Sequence, residues 1–260
     1  MNIQKLCTDI ATKEDGLEVI AILKKNNLWD DTKYWKLVGN NKDYNNHSII
    51  GSQQSNPANA LVEKLVNSGD SALMLNCLEK GIDPKSNEAP NNLKEAVATF
   101  FNVEDGRWID ADKTKKNQLA EKYCNLVVTG EKGTGANPTY TIIDSAEGQE
   151  PEDFKKTFLS LTQKNKSGIS FVQGKFGMGS YGAVNFCKVD GLQLILSKRN
   201  PSIANKSSKN LWGFTIIRKV EPTQQQRLPE WFYLVIEDEI PQFDAKFLDL
   251  MPSVYPNPYG

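Results

Sequence analysis

The amino-acid sequence predicts an α+β fold, in which a mixed, mostly antiparallel sheet is covered by helices on one face. Apolar residues recur at helical spacing in the first half of the chain, whereas short apolar runs bounded by turn residues follow in the second half. The composition, with 39% hydrophobic and 24% charged residues, is typical of a folded protein with a core.

The first element is a helix over residues 15–26, where Leu17, Ile20 and Leu23 recur at helical spacing. Residues 27–47 are polar and rich in asparagine, which predicts a loop or an arm. We therefore expect residues 1–48 to form an N-terminal helix and arm, which either covers the rest of the protein or crosses to a partner subunit.

A long helix is predicted over residues 55–81. Ser55 or Asn56 suits the N-cap, Pro57 suits the first helical position, and Gly81 suits the stop. Apolar residues recur through the whole length of this segment. We therefore expect much of the helix to be buried.

Two further helices, at 92–103 and 112–123, are predicted within a helical insertion near 82–122. A short helix is predicted at 151–161. The predicted strands are 124–129, 139–143, 192–197, 211–218 and 231–237. The glycine-rich segment TGEKGTGANP (129–138) lacks the G-K-[ST] ending of a P-loop, so we interpret it as a hairpin connection.

Charge and composition exclude several classes of function. The net charge of −1 gives no overall basic excess for nucleic-acid binding, although a local patch stays open. The sequence has no run of about 18 apolar residues and no signal peptide, which predicts a cytoplasmic protein without a membrane segment. The four cysteines form no C-x-x-C pair, and His47 is the only histidine. Zinc sites of the His-Cys type and Ser-His triads other than one built on His47 are therefore excluded.

The stretch GKFGMGSYGAV (174–184) places four glycines directly before apolar residues. Glycine allows positive φ and close approach of the backbone to a ligand. A glycine-rich turn that opens onto a helix N-terminus binds phosphate, and a helix is predicted from Met178 onward. A plain turn before a helix accounts for the same pattern.

Two other segments carry polar residues whose spacing fits a ligand-binding site. Glu63, Asn67 and Asp70 share one face of the long helix, either as a solvated stripe or as the wall of a polar cavity. Asp144 ends an apolar strand and Gly148 follows it. This pattern fits a strand that leads into a turn, and it also fits a carboxylate that accepts a hydrogen bond from an exocyclic amino group.

In this order, the three segments resemble the GHKL ATPases, the class of gyrase, the ninety-kilodalton heat-shock chaperones, histidine kinases, MutL and MORC proteins. The first motif of the class, E-x-x-x-N-x-x-D, is matched by Glu63, Asn67 and Asp70. The second, D-x-G-x-G, is matched by Asp144 and Gly148.

The third motif, G-x-x-G-x-G, is matched by Gly174, Gly177 and Gly179, in wording most similar to the chaperone and MORC lids. The resemblance covers residues 52–237. It implies a two-layer sandwich with a mobile glycine-rich ATP lid. Ala146 replaces the first glycine of the second motif, which puts the width of the adenine pocket in doubt, and Val66 stands where an acidic residue often precedes the motif asparagine.

The resemblance also implies residue roles and cofactors. Asn67 would bind Mg²⁺, Glu63 would activate the attacking water, and Asp144 would bind the adenine of ATP with Gly148 allowing close approach. Asp70 would shape the pocket more than contact ATP. The lid residues that would hold the phosphates are Gly174, Lys175, Phe176, Gly177, Met178, Gly179 and Ser180. Lys175 is interpreted equally well as an exposed lysine that contacts no phosphate.

The predicted function is therefore Mg²⁺-dependent binding and hydrolysis of ATP, coupled to conformational change or dimerisation. One alternative is phosphotransfer like that of a histidine kinase, which Glu63 and the sequence around His47 disfavour. Another is a nucleotide-gated interaction module without turnover. Residues 49–260 would form the ATP-binding domain, as the N-terminal fragment of a longer protein that forms a nucleotide-dependent homodimer.

Overall fold

The computed structural model describes residues 1–39, 56–131, 133, 137–160, 166–174, 182–222, 228–246, 248 and 250. It has an α+β fold with a mostly antiparallel, curled sheet, as the sequence predicts. The α-helices are α1 (Ile3–Ala11), α2 (Gly16–Lys25), α3 (Pro57–Glu79), α4 (Leu93–Phe101) and α5 (Lys113–Tyr123). All helices predicted up to residue 123 are confirmed to within a few residues at their ends.

The strands are β1 (Trp35–Leu37), β2 (Asn125–Gly130), β3 (Pro138–Ile143), β4 (Gln193–Ser197), β5 (Trp212–Val220), β6 (Glu230–Leu234) and β7 (Gln242–Phe243). The main sheet has the order β1-β6-β5-β4, with β7 also paired to β5. Each of these pairings is antiparallel. The interpretation of residues 27–47 as loop is wrong at β1, because Trp35 pairs with Leu234, a partner too distant in sequence for local patterns to reveal.

The two faces of the main sheet are covered by different parts of the chain. Because successive strand residues point to opposite faces, Ile216 of β5 packs with the helices α1 and α2, whereas Ile217 packs on the other side with Phe154 and Val184. The same alternation on β6 separates Leu234 from Trp231. Both faces of the central strands are thus buried.

The strands β2 and β3 form a separate two-stranded antiparallel sheet, in which Gly130 lies opposite Pro138. This register confirms the predicted hairpin connection between them. Its outward face carries Leu126, Val128 and Tyr140, which are 41%, 49% and 54% exposed. The Thr139 hydroxyl donates to the Glu14 carbonyl at 2.6 Å and ties the hairpin to the loop between α1 and α2.

A third hydrophobic cluster surrounds the second half of α3. Leu73 and Leu75 of α3 pack there with residues of α4 and α5 and with the segment that contains Phe171 and Val172. This cluster fixes the segment before the glycine-rich stretch against the long helix.

Two of the predicted helices differ from the structure. The segment predicted as a helix at 151–161 is a 3₁₀ helix over Pro151–Lys156. The helix predicted from Met178 onward is wrong over the described residues after 181, which contain the 3₁₀ turn Val184–Phe186 instead. The chain reverses shortly afterwards, because Asp190 and Gly191 adopt positive φ values of 44° and 58°.

Candidate functional site

The long helix α3 places the first group of candidate residues. Asn56 caps it, since its side-chain oxygen accepts a hydrogen bond from the Ala58 backbone N–H at 2.8 Å. The helix continues without interruption to Glu79, so Glu63, Asn67 and Asp70 lie on one face, as the spacing predicts.

Asp70 is the most deeply buried of these side chains, with 2% of its surface exposed. Its carboxylate accepts hydrogen bonds from the backbone N–H groups of Gln173 and Gly174, at 2.9 and 2.8 Å. It also accepts one from the ammonium of Lys166 at 3.1 Å. A buried carboxylate needs such partners, because burial without them would cost several kcal/mol.

Asn67 meets the first glycine of the glycine-rich stretch. A Cβ atom placed on Gly174 would lie 2.7 Å from Oδ1 of Asn67 and 3.2 Å from Oδ2 of Asp70. Real Cβ atoms almost never come so close to a neighbour as the first of these distances. The absence of a side chain at Gly174 therefore permits the contact between the stretch and the Asn67 amide.

Asp144 follows β3 and reaches the same part of α3. Its carboxylate accepts a hydrogen bond from the Ser68 hydroxyl at 3.0 Å. Burial raises the pKa of Asp144 to about 6, although the bonds from Ser68 and from the Ala146 backbone oppose that rise. The nearby charge of Glu147 raises this pKa further, and the charge of Lys166 lowers it.

Gly148 has a structural contact of its own. It adopts a φ of +59°, and a Cβ atom there would lie 1.9 Å from the Lys198 carbonyl oxygen. The loop is also tied to α3, because the Glu147 N–H donates to the Ser71 hydroxyl at 3.2 Å. Packing against Lys198 thus accounts for this glycine without a ligand, and its approach to an adenine stays a prediction.

Ala146, which replaces a motif glycine, is 5% exposed and belongs to the cluster around α3. Its carbonyl accepts a hydrogen bond from the Asn200 side chain at 3.1 Å. The loop after Asp144 is therefore fixed both to α3 and to the segment that follows β4.

Glu63 is half-buried on α3, one turn before Asn67. Its neighbour Lys64 is desolvated, which lowers the pKa of the Lys64 ammonium to about 8, while the nearby Cys187 and Glu63 act in the opposite direction.

The donor set fits magnesium only in a particular form. Within the described ranges, no group of three or more His, Cys, Asp or Glu side chains could hold a metal ion. Asn67 offers one amide oxygen, which suits Mg²⁺ that is held chiefly by phosphate oxygens and water. The residues thus fit a magnesium–nucleotide complex rather than a metal ion alone.

Most of the predicted lid lies outside the described residues, namely Lys175, Phe176, Gly177, Met178, Gly179 and Ser180. Of that motif, Gly174 alone is located, against Asn67 and Asp70. We refer below to the α3 site as Asn67, Ser68 and Asp70 together with Asp144 and Gly174.

Sequence reasoning missed two members of this neighbourhood. Ser68 is 3% exposed and bonds to Asp144, but a serine inside a helix carries no signal for such a partner. Lys166 stands in the lysine-rich run QKNKSG, where nothing distinguishes it from a solvated lysine. Only the folded chain pairs it with Asp70.

Comparisons of the chain with protein-family models, with curated proteins and with solved structures found no match. None of the helices within the described ranges has the length and apolarity of a membrane-spanning segment. The resemblance to GHKL ATPases therefore rests on the residues quoted above.

Proposed function

We propose that this chain binds Mg²⁺·ATP at the α3 site and hydrolyses it, as a GHKL-type module. The observation that carries the proposal is the convergence of three sequence motifs on one stretch of α3. Ser68 and Asp144 are 76 positions apart, and Asp70 and Gly174 are 104 positions apart, yet both pairs are hydrogen-bonded. Each motif is weak evidence by itself, but unrelated motifs have no reason to meet.

The neighbouring groups suit the parts of a magnesium nucleotide. Asp144 and Asn67 lie on adjacent sides of α3, since Ser68, the residue after Asn67, bonds to Asp144. The adenine amino group would donate to Asp144, and the phosphates with their Mg²⁺ would face Asn67 and the glycine-rich stretch. We also propose that the fold is a two-layer sandwich with helices on one face and a mobile ATP lid.

Glu63 is assigned the role of general base. It lies one helical turn from Asn67, so a water on the γ-phosphate of ATP bound there would be within reach of its carboxylate. The base would accept a proton from that water as the oxygen attacks phosphorus and the bond to ADP breaks. The glycine-rich backbone would offset the charge that develops on the phosphoryl oxygens.

Phosphate release from ATP tests the proposal, with Glu63→Gln as the decisive variant. We expect Glu63→Gln to bind Mg²⁺·ATP like the wild type but to hydrolyse it about 10²- to 10⁴-fold more slowly. Glu79→Gln is the matched control, because Glu79 ends the same helix and bonds to Ser202. Wild-type turnover in Glu63→Gln would refute the assignment of the base, and binding without any turnover by the wild type would favour an interaction module.

A further inference from the structure

We infer that Asp70 is the positioning residue of the α3 site: it fixes Gly174 against the Asn67 amide and thereby sets where the glycine-rich stretch begins. The inference rests on the proposed function, which it deepens. The carboxylate binds three donors, and they come from both ends of one segment. Lys166 is at one end of the segment 166–174, and Gln173 and Gly174 are at the other.

The middle of this segment is held independently. Ile169, Phe171 and Val172 are 4%, 0% and 2% exposed and pack in the cluster around the second half of α3. A segment with a buried middle and both ends on one carboxylate has little freedom to shift along the helix. The position at which the chain leaves the segment is therefore defined.

The geometry links this anchor directly to Asn67. Asp70 lies three residues after Asn67 on α3, so the carboxylate and the amide share a face of the helix. Gly174 touches both, since a Cβ atom on it would lie 2.7 Å from Oδ1 of Asn67 and 3.2 Å from Oδ2 of Asp70. Asp70 thus sets the distance between the proposed magnesium ligand, Asn67, and Gly174, the residue at which the glycine-rich stretch begins, without itself touching ATP.

The inference is tested by Asp70→Asn, which keeps the shape of the side chain but removes one of its two hydrogen-bond acceptors. A carboxylate offers two accepting oxygens, whereas an amide offers one oxygen and one NH₂ group. At least one of the present donors would then face another donor, because one carboxylate oxygen accepts from Gln173 and the other from both Gly174 and Lys166. We expect the amide hydrogens of Gln173 and Gly174 to exchange about 10- to 100-fold faster in ligand-free Asp70→Asn than in the wild type.

Two controls separate this anchor from general electrostatics. Asp9→Asn breaks an exposed ion pair with Lys5 and should leave the exchange unchanged. Lys166→Met removes the ammonium but leaves both backbone bonds to Asp70, so exchange at Gln173 and Gly174 should accelerate less than in Asp70→Asn. Unchanged exchange in Asp70→Asn would overturn the inference.

Ligand affinities distinguish a positioning role of Asp70 from a purely structural role. Adenosine would contact the Asp144 side alone, whereas Mg²⁺·ATP needs the spacing that Asp70 sets. Asp70→Asn should weaken Mg²⁺·ATP about tenfold or more while the Kd of adenosine changes by less than about threefold. Equal losses for both ligands would mean that Asp70 is only structural.

If Asp70→Asn does not fold, Gly174→Ala disturbs the same contact from the other side and should give the same selective loss. Wild-type protein that binds neither adenosine nor Mg²⁺·ATP would overturn the proposed function and the positioning role together. The exchange measurement on ligand-free protein would still decide whether Asp70 anchors the segment, so the two failures are distinguishable.

Discussion

The two halves of the long helix α3 differ in their surroundings. Between Pro57 and Val66, Ala60 is the one buried side chain, whereas Leu73, Met74 and Leu75 in the second half are all buried. The α3 site lies where the two halves meet. The second half packs in the cluster around α3, whereas the side chains of the first half other than Ala60 are exposed or half-buried, which makes this half the more accessible one.

The largest expected loss of stability comes from a substitution in the buried second half of α3. Leu73→Ala should lower the free energy of unfolding by about 2–5 kcal/mol, because Leu73 is 3% exposed within the cluster around α3. Val62→Ala in the accessible half should change it by less than about 0.5 kcal/mol, because Val62 is 55% exposed. Urea denaturation measures both. A large loss in Val62→Ala would show that the first half is covered in solution.

Two glycines near this boundary should respond in opposite directions to the same substitution. Gly148→Ala should destabilise the protein by about 2–4 kcal/mol, since its Cβ would overlap the Lys198 backbone at a φ of +59°. Gly69→Ala on α3 meets no atom within 4 Å and should stabilise it by about 0.5–1 kcal/mol. Thermal unfolding distinguishes them, and a stable Gly148→Ala would contradict the observed packing of the loop.

A smaller effect concerns Asp144, which bonds to α3 at the boundary between its halves. Its pKa is raised from 3.8 to about 6, so the folded state favours the protonated form. That contribution to stability is fully present below about pH 4 and is lost as the pH rises through about 6. It amounts to about 3 kcal/mol, because each pKa unit corresponds to about 1.4 kcal/mol.

Denaturation curves of the wild type and Asp144→Asn between pH 4 and pH 7 isolate this contribution, because the groups that do not interact with Asp144 cancel in the difference. Glu147 and Lys166 are the charged neighbours, and Cys124 is a nearby thiol. We expect the wild type to lose stability relative to Asp144→Asn as the pH rises. A difference that is constant with pH would mean that Asp144 is not desolvated.

The sequence predicted those elements whose signals are local. Asn56 and Pro57 mark the start of α3, Gly81 marks its end, and the β2–β3 hairpin follows from two apolar runs around a glycine-rich connection. The strand β1 was missed because its pairing with β6 is non-local and it has only three residues. The helix expected after Met178 was wrong where the structure describes it, since apolar residues after glycines do not distinguish a helix from a 3₁₀ turn.

The candidate site was predictable only in part. The shared face of Glu63, Asn67 and Asp70 followed from helical spacing. Their meeting with Gly174 follows from the fold. The partners that satisfy the buried carboxylates, Ser68 and Lys166, have no local sequence signal, because hydrogen bonds across the chain depend on tertiary structure.

Thermal unfolding with and without ATP and Mg²⁺ tests directly whether the α3 site binds a magnesium nucleotide. At about one hundred times its Kd, a ligand of the folded state should add roughly 2.7 kcal/mol of stability. We expect a stabilisation of the wild type that requires Mg²⁺, disappears in Asn67→Ala and persists in Asn59→Ala, which alters an exposed asparagine of the same helix. No stabilisation at millimolar ATP, or the same stabilisation in Asn67→Ala, would contradict this expectation.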